Sequence, residues 1–243
     1  MILVIDIGNS RIKCAVFEQN SMVEQFNFSK EDLKKNIENC LDKYPEIEYL
    51  VVASVANFDK NDFSSLRNRI ELHIINSDDD FPFTNLYRTP KTLGIDRMVL
   101  ATGAVIQFPN INRLVIDAGT CITYDYIDQN DNYLGGAIAP GIRLRYEALH
   151  RFTAKLPLLE TQNPEDFIGS STNDAIHSGI VNGIVFEING FINEFISQYP
   201  NFIIILTGGD AEFLAKRLKN TIFANSNFLL ESLNHKFHYK IKK

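Results

Sequence analysis

Two stretches of this chain close an apolar run on an aspartate, a glycine and a small polar residue: Asp6-Ile7-Gly8-Asn9-Ser10, and Asp117-Ala118-Gly119-Thr120. This combination suits phosphate. Glycine lets the backbone approach a ligand and take conformations that a Cβ forbids. Successive backbone N–H groups can then point at phosphate oxygens. Ser10 and Thr120 add hydroxyl donors, and Lys13 adds a point charge on the segment leaving the first turn. The aspartates repel phosphate directly, so they make sense with a cation between carboxylate and phosphate, usually hydrated Mg²⁺. Two such turns read as a clamp on a phosphate chain. A lone Asp-x-Gly is an ordinary turn, but here it occurs twice and a third glycine-rich turn follows, Thr207-Gly208-Gly209-Asp210-Ala211. That turn would let a flat base lie against backbone; Asp210 alone could equally be a helix cap.

The elements that must hold these turns can be read from periodicity. Leu3 and Leu114, at matching places in the two copies, are 111 residues apart, close to half of the 243-residue chain. Each copy continues into a second strand pattern, RIKCAVFEQ or CITYDYID, so each predicts strand, tight turn, strand. SKEDLKKNIENCLDKY predicts a helix capped by Ser29, with Leu33, Ile37, Cys40, Leu41 and Tyr44 at helical spacing. EYLVVASV and ELHII predict strands, SSLRNRI a short helix, and DRMVLATGAVIQF an apolar helix. IRLRYEALHRF and a long segment from Ser171 predict two more helices; Gly179, Gly183 and Gly190 weaken the second, which suggests close packing. NFIIILTGGDAEFLAKRL predicts strand, turn, helix. Alternating strands and helices make the class α/β. The repeat divides the chain into an N-terminal lobe, 1–110, and a C-terminal lobe, 111–243.

Composition narrows the functions. Hydrophobic residues make up 45% and charged residues 22%, as in an ordinary globular protein. The net charge is −6 and the one basic cluster is the YKIKK tail, which disfavours a nucleic-acid partner. Cys14, Cys40 and Cys121 are odd in number and scattered, which fits reduced thiols in a cytoplasm. The first residues lack the basic segment and apolar core of a signal peptide. No run suggests a membrane span of about 20 apolar residues. The five histidines and the run Asp78–Asp80 have no metal-binding spacing and read as solvated or structural.

DIGNSRIK (6–13), GIDR (94–97), DAGTCIT (117–123), GGAIAPG (135–141), STNDAIHSG (171–179) and TGGDA (207–211) together resemble the type III pantothenate kinases, the Bvg accessory factor family. These belong to the ATPase superfamily of actin, Hsp70 and sugar kinases. The resemblance implies a duplicated two-lobe actin-like ATPase fold, ribonuclease H-like, with a nucleotide cleft between the lobes. It implies transfer of the ATP γ-phosphate to pantothenate, the first step toward coenzyme A. It assigns ATP binding to Asp6, Ile7, Gly8, Asn9, Ser10, Arg11, Ile12, Lys13, Thr120, Gly208 and Gly209. Asp6 stands on the Mg²⁺–ATP side, and Asp117 binds a monovalent cation, K⁺ or NH₄⁺. Asp96 is the base. Tyr87, Gly94, Ile95, Asp96, Arg97 and Thr172 meet pantothenate, Thr172 from the partner subunit of a homodimer. Ser10 stands where threonine is common, and Cys121 where a small residue such as alanine is usual.

Chemistry supports these roles and leaves alternatives open. A carboxylate at Asp96 would orient an alcohol and take its proton; it could also be the cap of the helix that follows. The Arg97 guanidinium suits a planar carboxylate, or an ordinary surface acid. Tyr87 could pack rather than bind, and Thr172 could cap its helix. Two rivals remain from sequence: another small-molecule kinase of this superfamily, and a non-catalytic nucleotide-binding regulator.

Overall fold

The computed structural model describes residues 1–8, 12–29, 32–54, 63, 69–220 and 222–241. The chain divides into two compact units. The first comprises Met1–Pro109, Asp131–Tyr133 and Asn227–Lys243; the second comprises Asn110–Asn130 and Leu134–Ser226.

The first unit is built on a five-stranded sheet. Its strands are β1 (Ile2–Ile7), β2 (Ile12–Glu18), β3 (Ser21–Phe28), β4 (Tyr49–Ser54) and β5 (Glu71–Ile74), in the order β3-β2-β1-β4-β5. β1 and β2 form an antiparallel hairpin, while β4 runs parallel to β1. Every residue of β1 is buried, because both faces of the sheet are covered. On one face lies α1 (Leu33–Lys43), whose Leu33, Ile37, Cys40 and Leu41 meet Leu3, Ile5, Ile7, Ile12 and Val52. Each fully buried aliphatic side chain there contributes roughly 1.5–3 kcal/mol. The other face is covered by α2 (Ile95–Gln107) and the C-terminal α6 (Phe228–Ile241). α2 is buried on all sides from Arg97 to Val105, as expected of a helix between a sheet and a second helix. A Cβ at Gly103 would collide with the Ser232 hydroxyl, so glycine here lets α2 and α6 approach closely. A short strand, β6 (Thr84–Asn85), runs parallel to Asn132 and Tyr133 at the start of β9 (Asn132–Pro140).

The second unit repeats the opening. β7 (Asn112–Ala118) and β8 (Cys121–Ile127) form its hairpin, and β10 (Phe202–Thr207) runs parallel to β7. β11 (Phe223–Ala224) joins β10 at the edge, and β9 lies beside β8. Leu114, Ile116, Ala118, Ile204 and Leu206 form the core face, with α3 (Ile142–Phe152) and α4 (Thr172–Gln198) packed among the same cluster. α4 supplies Ile176, Ile180, Ile184, Ile188 and Ile192. A short helix, α5 (Ala211–Ala215), follows β10.

Several expectations are adjusted. α1 begins after Asp32 rather than Ser29, whose hydroxyl instead donates to the Asp32 carboxylate at 3.2 Å. The helix expected over SSLRNRI lies mostly outside the described residues. A linear division at 110/111 puts the C-terminal helix in the second lobe, whereas α6 packs on the sheet of the first unit. The α4 glycines do not mark close packing within the chain: a Cβ at Gly179, Gly183 or Gly190 would meet nothing within 4 Å. By length and composition α4 is apolar enough to cross a membrane, but half of its apolar window is buried in the protein, and a core helix passes the same test.

Candidate active site

The first hairpin carries the first turn. Asp6 is buried, opposite Lys13 in the β1–β2 register and beside Ala53 of β4. Paired residues on neighbouring strands share a face, so Asp6 and Lys13 point away from the α1 side that receives Ile5 and Ile7. Ile7 and Ile12 close the hairpin as a pair with both side chains in the core. Any contact they make to a ligand must therefore be through backbone. Gly8 follows, half-buried. Asn9, Ser10 and Arg11 lie outside the described residues.

The same unit brings Tyr87, Gly94, Asp96 and Arg97 together. Gly94 is the N-cap of α2, so Asp96 is inside the first turn rather than the cap itself. A side chain at Gly94 would collide with Asp96 Oδ1; its absence makes room for the carboxylate. Asp96 Oδ1 accepts the Arg97 backbone N–H at 2.8 Å. Burial pushes the Asp96 carboxyl up, against the opposing pull of that N–H and of the Arg97 charge. The Arg97 guanidinium is buried and lies 5.8 Å from the centre of the Tyr87 ring, within cation–π range. Tyr87 is held in turn by its backbone N–H, which donates to Asn85 Oδ1 at 3.0 Å, and by an edge contact with Tyr133. Ile95 is half-buried at the first helical position. The unit thus gathers a raised carboxylate, a guanidinium and an aromatic face.

In the second unit three glycine-containing segments meet at the turn that follows Asp117. The hairpin turn after it is closed by Gly119 N–H, which donates to the Cys121 carbonyl at 2.9 Å. Gly141, before α3, donates to the Thr120 carbonyl at 3.0 Å, and a Cβ there would collide with the Gly119 and Thr120 carbonyls. Gly208 has φ of 97°, and a Cβ would run into the Ala118 carbonyl and Asp117 Oδ1. Asp210 N–H completes this contact by donating to the Ala118 carbonyl at 2.9 Å. Thr120 is exposed, and Gly209 faces open space. Burial raises the Asp210 carboxyl, which makes no side-chain cap of α5.

Thr207 pairs with Asp117 across the parallel β10–β7 ladder, on the same face. It is 1% exposed, yet its hydroxyl finds no hydrogen-bond partner among the described residues. A buried polar atom without a partner is rare and calls for an explanation. Thr207 and Gly141 are contributors that sequence reasoning left without a role. Glycine and threonine at those motif positions are visible in the sequence, but their neighbours are set by strand register and by the return of a distant loop. Thr172 is the first residue of α4; the capping role belongs to Ser171, whose hydroxyl accepts Asp174 N–H at 3.2 Å. Among the described residues no three His, Cys, Asp or Glu side chains converge as a metal cage.

Two α/β units that each open on an antiparallel hairpin, with an aspartate entering its turn, define an actin-like ATPase fold. The activator of 2-hydroxyisocaproyl-CoA dehydratase from Clostridium difficile, solved with bound ADPNP, shares it: TM-score 0.55, 11% identity, 99% of this chain and 95% of that one covered. A Baf family protein from Campylobacter jejuni is similar with a TM-score of 0.68 and 23% identity, covering 99% of this chain and all of the other. Residues 2–194 match the family model described as type III pantothenate kinase. A protein of that name from Flavobacterium johnsoniae is 64% identical over 241 residues, 99% of either chain. The chain belongs to the type III pantothenate kinase family.

Proposed function

We propose that this protein transfers the γ-phosphate of ATP to the primary hydroxyl of pantothenate, giving 4′-phosphopantothenate, the first step toward coenzyme A. Family membership supports the reaction, and the observation that carries the site is the raised carboxylate of Asp96 beside Arg97 and Tyr87. The pantothenate hydroxyl attacks the γ-phosphorus, the bond from that phosphorus to the β,γ-bridging oxygen breaks, and ADP leaves. The hydroxyl proton passes to the Asp96 carboxylate. A carboxyl raised by burial is a stronger base than an ordinary one when ionised. Arg97 is suited to the carboxylate of pantothenate, and the Tyr87 ring shields that pair from water. Lys13 and the backbone of the first hairpin turn bind ATP phosphates, with Asp6 on the Mg²⁺ side. Thr120, Gly208 and Gly209 are further residues for binding the nucleotide.

The residues around Asp117 fit a monovalent cation. Asp117 pairs in register with Thr207, whose buried hydroxyl oxygen has no hydrogen-bond partner among the described residues. Both are hard oxygen donors, and a large, weakly hydrated monovalent cation does not need the strict octahedral shell that Mg²⁺ demands. A K⁺ or NH₄⁺ ion bound there would offset the repulsion between Asp117 and the γ-phosphate.

The open face of α4 supports a homodimer. Thr172, Gly179, Gly183, Phe186 and Gly190 follow helical spacing along one stripe. A Cβ added at any of the three glycines would meet no neighbour within 4 Å among the described residues, and Phe186 is 59% exposed. A groove of about 790 Å³ beside it is lined by Leu149, Phe152, Leu156, Thr172 and Gly179. A second copy of the same helix fits this stripe, because glycines allow close helix approach and a C2 interface is self-complementary. Thr172 on this stripe would face the partner subunit. Free cysteines at 14, 40 and 121 suit the reducing cytoplasm in which this family reaction would run.

The test is a coupled assay of ADP release with and without pantothenate. Pantothenate-dependent release is expected. Nucleotide binding without turnover would favour the regulator reading, and turnover with a different alcohol another kinase.

A further inference from the structure

We propose that Lys236, on the C-terminal helix α6, is a positioning residue for the acceptor site, acting on Arg97 through a row of aromatic rings. This rests on the acceptor site proposed above. Lys236 lies beyond the residues matched by the family model, which end at 194.

Lys236 is 0% exposed, and a buried ammonium is costly unless it is paired. Its Nζ lies 3.8 Å from Asp79 Oδ2 and 4.7 Å from the centre of the Phe81 ring. Asp79 is held in a local turn: its Oδ2 accepts Asn76 N–H, and its own N–H donates to the Asn76 carbonyl. The ammonium therefore anchors the 76–81 segment onto α6. From Phe81 the rings run on in contact. Phe81 and Phe83 are 5.5 Å apart, Phe83 and Tyr133 5.9 Å, and Tyr133 and Tyr87 6.2 Å. All lie within the range of favourable ring pairs. The row ends where the Arg97 guanidinium covers Tyr87 at 5.8 Å. A cation thus stands at each end, Lys236 in α6 and Arg97 beside Asp96.

The backbone along the row is tied down as well. Thr84 N–H donates to the Asp131 carbonyl and Leu86 N–H to the Tyr133 carbonyl. These bonds fix the height of β6, leaving the rings to set the tilt of Tyr87. α6 also sets α2 from behind, through the contact of Ser232 with Gly103. One helix is therefore the common support of Tyr87 and of the Gly94–Arg97 turn. Removing the ammonium frees Phe81, and the loosened row lets Tyr87 and Arg97 shift. Small misplacements of a positioning group can cost up to roughly 10²-fold.

The experiment compares Lys236→Met, Lys236→Arg and Phe81→Leu in the full chain. Lys236→Met and Phe81→Leu are expected to raise the pantothenate KM about 10-fold or more while the ATP KM stays within twofold. Lys236→Arg should restore most of the loss, because arginine keeps the charge and the ring contact. A second readout is the Arg97 Nε–Hε NMR resonance, which senses the Tyr87 ring current and should move in both loosening variants. If Lys236→Met does not fold, Phe81→Leu decides by the same two measures. Folded variants with an unmoved Arg97 resonance, or with both KM values unchanged, would overturn the inference. If the wild type fails to phosphorylate pantothenate, the function proposed above falls, and the resonance alone decides the link from Lys236 to Arg97.

Discussion

The backbone N–H of Arg97 reaches back 2.8 Å to Oδ1 of Asp96, one residue before it, inside the first turn of α2. This bond orients the carboxylate and opposes the burial that pushes its pKa up. Asp96→Asn is expected to keep nucleotide binding and lose roughly 10²–10⁴-fold in turnover. Isothermal titration with ADP and a steady-state assay measure the two separately; near-normal turnover would remove Asp96 from the chemistry.

The same shift has a stability consequence. A carboxyl whose folded pKa is raised above its unfolded value favours the fold below the unfolded value and loses that favour as pH rises through the folded one. At neutral pH the wild type therefore holds a disfavoured charge. Asp96→Asn should melt higher than the wild type at pH 7–8, and the difference should shrink as pH falls through the raised folded pKa toward the ordinary carboxylate value. The acid limb of kcat/KM, which reports the free enzyme, should likewise lie above the ordinary carboxylate value. Melting curves and pH–rate profiles check both; a variant that melts lower at pH 7–8 would contradict the buried-charge account.

Gly208 combines φ of 97° with a Cβ position already occupied by the Ala118 carbonyl and the Asp117 carboxylate. Gly208→Ala should cost about 1–3 kcal/mol in stability through backbone strain. It should also push Asp117 out of place and raise the ATP KM. Denaturant unfolding with parallel kinetics tests this; unchanged stability would mean the turn relaxes freely.

Activity at saturating Mg²⁺ should require K⁺ or NH₄⁺ and be poor in Na⁺ at matched ionic strength. Asp117→Ala should remove that dependence with most of the activity. Thr207→Val keeps the shape and removes the buried hydroxyl, so it should weaken the K⁺ response with little change in fold. Apoprotein melting in K⁺ against Na⁺ gives a readout independent of turnover, since a bound ion stabilises by mass action. Equal rates and equal melting in both salts would sink the cation role.

Phe186 protrudes from the same open stripe as Thr172. Light scattering should find twice the 27.7 kDa of one chain. Phe186→Glu should leave a folded monomer with a raised pantothenate KM, because a buried like-charge pair opposes self-association. An active monomeric wild type would refute the dimer.

Much of this protein is legible in its sequence because the signals are local. Ile12, Cys14 and Val16 alternate in β2, and Leu33, Ile37 and Leu41 recur at helical spacing in α1, so neighbours along the chain reveal the element and its buried face. The paired Asp-x-Gly turns likewise need only adjacent residues, and they mark both hairpins. Tertiary structure alone decided how distant segments meet. The sequence shows Thr207 ending an apolar strand, but the β10–β7 register sets it opposite Asp117. Burial drives α6 to some apolar surface, but its own pattern does not say that this is the back of α2. The α4 glycines are identical in sequence whether they pack within the chain or face outward; the fold leaves them open. Periodicity specifies that a face is buried, while the partner that buries it is chosen by the packing of the whole chain.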